Sequence, residues 1–118
     1  MSYPTYPTLD LEKLQRAVSA WSTRNFGGTD VVDAELSALG LGEEVGEVMR
    51  ALIKRRQGIR GTHEEWTAEL KKELGDVVIK LCDVADRAGL DLAQCARDRW
   101  ASVSQRNWID DRQGHGIE

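Results

Sequence analysis

Pro4 and Pro7 are the only prolines, so residues 8 to 118 contain no obligate helix breaker. Apolar residues in that stretch recur at spacings of three and four, and no period-two alternation is sustained, which points to helices throughout. The first helix is expected over about 9 to 25, with Leu11, Leu14, Val18 and Trp21 on one face. NFGGT at 25 to 29 ends it. The second runs from about 30 to 57 with Leu41, Val45, Val48 and Leu52 as its stripe, and Lys54, Arg55 and Arg56 suit its C-terminal end before Gly58. A Thr62 to Glu65 capping box opens the third, which carries Trp66, Leu70, Leu74, Val77, Leu81 and Val84 toward Gly89. Asp91, with Gln94 at box spacing, opens a fourth containing Leu92, Cys95, Ala96 and Val103. Four helices joined by short turns predict an all-α four-helix bundle, with residues 1–118 forming one domain: a core at about 9–106 and a loose tail from about 107.

Composition narrows the function classes. The chain has 118 residues, 41% hydrophobic and 31% charged, with a net charge of −4. That balance disfavours non-specific binding of a nucleic-acid backbone, and no stable nucleic-acid complex is expected. No stretch approaches the ~20 apolar residues of a membrane span. MSYPTYPTLD has neither the basic start nor the apolar centre of a signal peptide, so a cytoplasmic location is expected. Cys82 and Cys95 are too few for a zinc site or a disulfide framework and read as reduced, buried thiols. Gly40, Gly42 and Gly46 miss the dinucleotide fingerprint, no Walker lysine follows a glycine, and the Gly58–Gly61 pair lacks the sheet that a nucleic-acid GxxG loop needs.

The chemistry-bearing residues are acidic. Glu44 with Glu47, and Glu73 with Asp76, have the i, i+3 spacing that makes like charges neighbours on a helix. At about 100° per residue each pair lies beside the apolar stripe of its own helix, displaced in the same direction. If the second and third helices pack antiparallel through those stripes, four carboxylates converge beside the core. Solvated acidic faces remain one reading. The other is a hard divalent cation such as magnesium, which relieves the repulsion and favours oxygen donors. A di-iron site is disfavoured, because it wants Glu-x-x-His and the only histidines, His63 and His115, fall in a turn and in the tail.

With these residues in place, LGLGEEVGEVMRAL at 39 to 52 and KKELGDVVIKL at 71 to 81 resemble the MazG-like nucleoside triphosphate pyrophosphohydrolases, relatives of the dimeric dUTPases. GLDL at 89 to 92, followed by a basic helix, is similar to a later segment of that family. The resemblance covers about residues 9 to 108. It implies Glu44, Glu47, Glu73 and Asp76 as magnesium ligands, with manganese able to substitute, and Glu43 as an outer candidate. It also implies hydrolysis of a nucleoside triphosphate to the monophosphate and pyrophosphate, with Glu44 or Glu47 taking a proton from water. WSTRNFGG at 21 to 28 resembles the base-side entrance, making Trp21 and Phe26 candidates for stacking on a nucleobase, although Trp21 also completes an apolar stripe. Lys80 stands where relatives often have an aromatic or amide residue. Arg99, Ser102, Ser104 and Arg106 stand where many have a Lys followed by an Asn. Lys80, Arg99 and Arg106 are the candidate phosphate contacts, Arg99 from within the apolar face of its helix. A homodimer or homotetramer is expected. The alternative is a non-catalytic helical module that binds a nucleotide or a partner.

Overall fold

The computed structural model describes residues 8–110. It has four helices: α1 (Leu11–Phe26), α2 (Ala34–Gln57), α3 (His63–Arg87) and α4 (Leu92–Val103). Each begins at an oxygen-bearing cap. The side chains of Asp10, Asp33, Thr62 and Asp91 accept from backbone N–H groups of their first turns, meeting donors that would otherwise lack partners. The Thr62–Glu65 capping box forms in both directions. At Asp91 the reciprocal half is missing, and the Gln94 side-chain oxygen that would accept from the Asp91 N–H accepts from Arg97 instead. α2 starts later than expected, since Val31 and Val32 fold back as a turn onto the Gly28 carbonyl before Asp33 caps the helix. Of the expected tail, residues 111–118, including His115, lie outside the described residues.

The turn from α2 to α3 is tight because three of its residues have positive φ: Gly58, Arg60 and Gly61. At Gly61 an added Cβ would come within 2.9 Å of the Trp66 indole nitrogen, which donates to the Ile59 carbonyl. Glycine there lets the chain turn against the ring, and α3 returns antiparallel along α2.

Among the described residues, α3 packs against all three other helices, most extensively against α2. The residues at its contacts differ from the expected stripes. α2 buries Ser37 and Ala51, while Val45 and Leu52 are exposed. α3 buries Trp66, Glu73, Cys82, Asp83, Ala85 and Arg87, while Leu74 is half exposed. Ser37, Glu44 and Ala51 on α2 recur every seven residues, as do Trp66, Glu73, Lys80 and Arg87 on α3. The seam between these helices is therefore polar along much of its length, with the long apolar residues beside it. On α1 the buried face is Gln15, Val18 and Ser22, which turns Trp21 outward. Cys82 is buried as expected, but Cys95 is exposed on α4; both are free thiols.

Arg87 organises the closed end of the fold. Its Nε donates to both Asp83 carboxylate oxygens at 3.1 Å, Nη1 to the Val32 carbonyl, and Nη2 to the Ser22 hydroxyl and the Gly27 carbonyl. Ser37 donates to Asp83 from the first turn of α2. Burial alone would raise the Asp83 pKa, but hydrogen bonds from Ser37, Ser22 and Arg87 and the Arg87 charge hold it below the usual aspartate range. A lowered carboxylate pKa adds stability at neutral pH that is lost as pH falls through the folded-state value. Arg87→Met should lower the unfolding free energy by about 3–5 kcal/mol, because it strands a buried carboxylate. Asp83→Asn combined with Arg87→Met should cost less than the sum of the single changes in urea titrations.

Candidate active site

α2 and α3 bring Glu44, Glu73 and Asp76 together: one carboxylate oxygen from each lies within 4.8 Å of the others. Glu44 is half-buried, Glu73 is 8% exposed and Asp76 is open to solvent, so the cluster runs from the helix seam to the surface. Sequence spacing alone set the four acids beside the core, whereas the structure sets Glu44 and Glu73 in the seam itself. Glu47 is half-buried, three residues further along α2, and is not one of the three that converge. Glu43 is exposed.

The cluster is electrostatically tense. The Glu73 pKa is raised, first by burial, then by a side-chain hydrogen bond with Glu69 and by the charges of Asp76, Glu69 and Glu44. Three oxygen donors at this separation suit a hard divalent cation, which would relieve that repulsion.

A cleft of about 460 Å³ adjoins the cluster, with Glu44 and Asp76 on its wall. Lys80, one turn beyond Asp76, also lines it. Its ammonium has no hydrogen bond or ion pair among the described residues. Val18, Trp21, Phe26 and Ile79 form the apolar side, and Trp21 meets Phe26 edge to face, with ring centroids 5.6 Å apart. Trp21 and Phe26 are 46% and 55% exposed, so neither ring is spent on packing the interior. The Ser22 and Asp83 side chains line the cleft beside these rings. The cleft thus combines ionic and aromatic lining, within the volume range of small-molecule sites.

The remaining expected contacts lie elsewhere. Arg99 is exposed on α4, and Arg106 is half-buried with its guanidinium 6.0 Å from the Trp108 ring. Neither lines the cleft, nor does Trp100 or Trp108. Ser22 and Asp83 went unnoticed in the sequence. An Asp–Arg pair at i, i+4 was visible there, but that pattern usually marks a solvated helix face.

The fold and the site thus define an all-helical protein in which carboxylates from two antiparallel helices converge beside a cleft that two aromatic rings line. The model of the MazG nucleotide pyrophosphohydrolase domain matches residues 33–107, and the chain belongs to that family. The match runs from the Asp33 cap of α2 through α4, taking in all the clustered acids; α1, with Trp21 and Phe26, lies outside it. Comparisons with curated proteins and with solved structures return no match.

A carboxyl whose folded-state pKa is raised costs stability as pH rises from its unfolded value through its folded one. In metal-free protein, Glu73→Gln should therefore raise Tm at pH 7, with the gain shrinking toward pH 4. Magnesium should lift the Tm of the parent but not of the variant, as scanning calorimetry would read directly.

Proposed function

We propose that the protein is a magnesium-dependent pyrophosphohydrolase that converts nucleoside or deoxynucleoside triphosphates to the monophosphate and pyrophosphate. The observation that carries this reading is the cleft itself, which Glu44, Asp76 and Lys80 line together with Trp21 and Phe26. Family membership supports the reaction class. Absence of a membrane-crossing helix among the described residues is compatible with the cytoplasmic location proposed here.

In this reading Glu44, Glu73 and Asp76 hold the ion, with Glu47 as a fourth ligand or as the base. Bound magnesium supplies Lewis acidity to the phosphate oxygens and makes a coordinated water more acidic. Trp21 and Phe26 hold the base by stacking, which tolerates different bases because every base has a π face. Lys80 faces the phosphates as a point charge. A carboxylate, Glu44 or Glu47, takes the proton as water oxygen bonds to the α-phosphorus and the bond to the bridging oxygen breaks. Pyrophosphate then leaves with that oxygen.

A second copy of the chain belongs to this proposal. Leu36, Leu39, Met49, Ile53 and Leu74, all on α2 and α3, are at least half exposed. A partner that covers this apolar surface would form the homodimer or homotetramer. Arg99 and Arg106 reach phosphate in this scheme only if the partner's α4 crosses the cleft.

Asp76→Asn should abolish pyrophosphate release from a panel of canonical and modified nucleotides in the presence of magnesium, while far-ultraviolet circular dichroism stays unchanged. An active variant would refute the metal role, and release of pyrophosphate by the parent without a divalent ion would refute the mechanism. The non-catalytic alternative predicts nucleotide binding with no release at all. Sedimentation at micromolar concentration should give a species of at least twice the chain mass, and a monomer there would overturn the proposed assembly.

A further inference from the structure

Gly40 lies in the second turn of α2, directly across the seam from Lys80 on α3. A Cβ at position 40 would fall 2.6 Å from Lys80 Cε and 2.8 Å from its Nζ, far inside contact distance. The space that this residue leaves empty is therefore the space that the end of the lysine occupies. By contrast, a Cβ at Gly42 or Gly46 in the same helix would meet nothing within 4 Å. Glycine weakens a helix interior relative to alanine, so position 40 costs α2 some stability and gives it a slot.

The same ammonium lines the cleft with Glu44 and Asp76 and lacks any hydrogen bond or ion pair among the described residues. A lysine with a free stem samples many rotamers. One whose last carbons lie against the α2 backbone has lost much of that freedom before a ligand arrives.

We propose that Gly40 is a positioning residue for Lys80: by leaving room for its Cε and Nζ, it sets the ammonium at the cleft wall to receive a phosphate oxygen of the substrate. This rests on the pyrophosphohydrolase reading for the identity of the anion. The atoms that the methyl group added by Gly40→Ala would meet are the far end of a flexible side chain, so the substitution displaces the lysine without breaking the seam.

The test measures binding of inorganic tripolyphosphate by calorimetry in excess magnesium, together with KM, kcat and Tm, for Gly40→Ala, Lys80→Met and the double variant. Gly40→Ala should weaken tripolyphosphate binding and raise KM about tenfold, leaving kcat within about threefold. Its Tm should stay equal or rise, as expected for alanine in a helix. Lys80→Met should cause a similar loss, and the double variant should be no weaker than either single one, because both changes remove one contact. If Lys80→Met weakens binding and Gly40→Ala does not, the positioning role is overturned. If neither changes binding, the ammonium takes no phosphate and the proposal falls entirely. Failure of the underlying reading looks different, since the parent would then release no pyrophosphate from any nucleotide, whatever the binding constants.

Discussion

The buried pair of Asp83 and Arg87 is the constraint on which the rest of the structure depends. Arg87 spends its donors on four places in the chain: α3 itself, Ser22 near the end of α1, and the carbonyls of Gly27 and Val32 in the connection to α2. Asp83 in turn receives Ser37 from the first turn of α2. One guanidinium thus fixes where α1 stops and where α2 starts, and a planar fork with several donors suits that task as an ammonium would not. The consequence reaches the cleft. Gly27 follows Phe26 directly, and Ser22 follows Trp21, so the two aromatic residues are anchored to α3 through their neighbours. Gln15 acts similarly at the other end of α1, where its amide joins the Leu90 carbonyl to the Leu92 N–H at the start of α4.

The seam between α2 and α3 places charge where a bundle of this size would ordinarily place leucine. Glu44, Glu73, Lys80, Asp83 and Arg87 all lie on or beside it, and among the described residues only the Asp83–Arg87 end is neutralised by internal pairing. The other end holds Glu73, whose pKa is raised by burial and then by neighbouring carboxyl groups, and a lysine with no partner among the described residues. Polarity along this one interface is thus of two kinds: oppositely charged groups paired with each other toward the α2 N-terminus, and like-charged carboxylates gathered further along. Apolar side chains displaced from the seam appear on the outer faces of the same helices, where Val45, Met49 and Leu52 follow one another at helical spacing. The open site and the exposed apolar surface have a common origin in the allocation of the seam to charged residues.

Much was legible in the order of residues. Helix ends are set by local chemistry, so Thr62, Asp91 and the glycines at 27 and 58 mark them in the sequence as they do in the structure. The convergence of Glu44, Glu73 and Asp76 was also legible, because a short turn at 58 to 62 forces α2 and α3 antiparallel and helical geometry does the rest. The burial pattern was harder to read. Hydrophobic periodicity assigns Val45, Leu52 and Leu74 to the inside on the assumption that one chain covers its own apolar faces. Nothing in that periodicity marks Asp83 and Arg87 as buried, because polar residues at i, i+4 stabilise exposed helices just as well.

The sequence by itself determined four helices, most of their limits, three of the acids that converge and the family, since each depends on neighbours within a turn or on a short linear motif. Tertiary structure decided which face of each helix turns inward, which acids share one site with Lys80, and that Trp21 and Phe26 form its aromatic wall. Those outcomes depend on rotations of whole helices. Hydrogen bonds between residues more than 45 positions apart, such as Ser37 with Asp83 and Ser22 with Arg87, contribute to setting these rotations. No local pattern encodes them, because each partner taken alone is an ordinary surface residue and becomes a buried one only when the other is present.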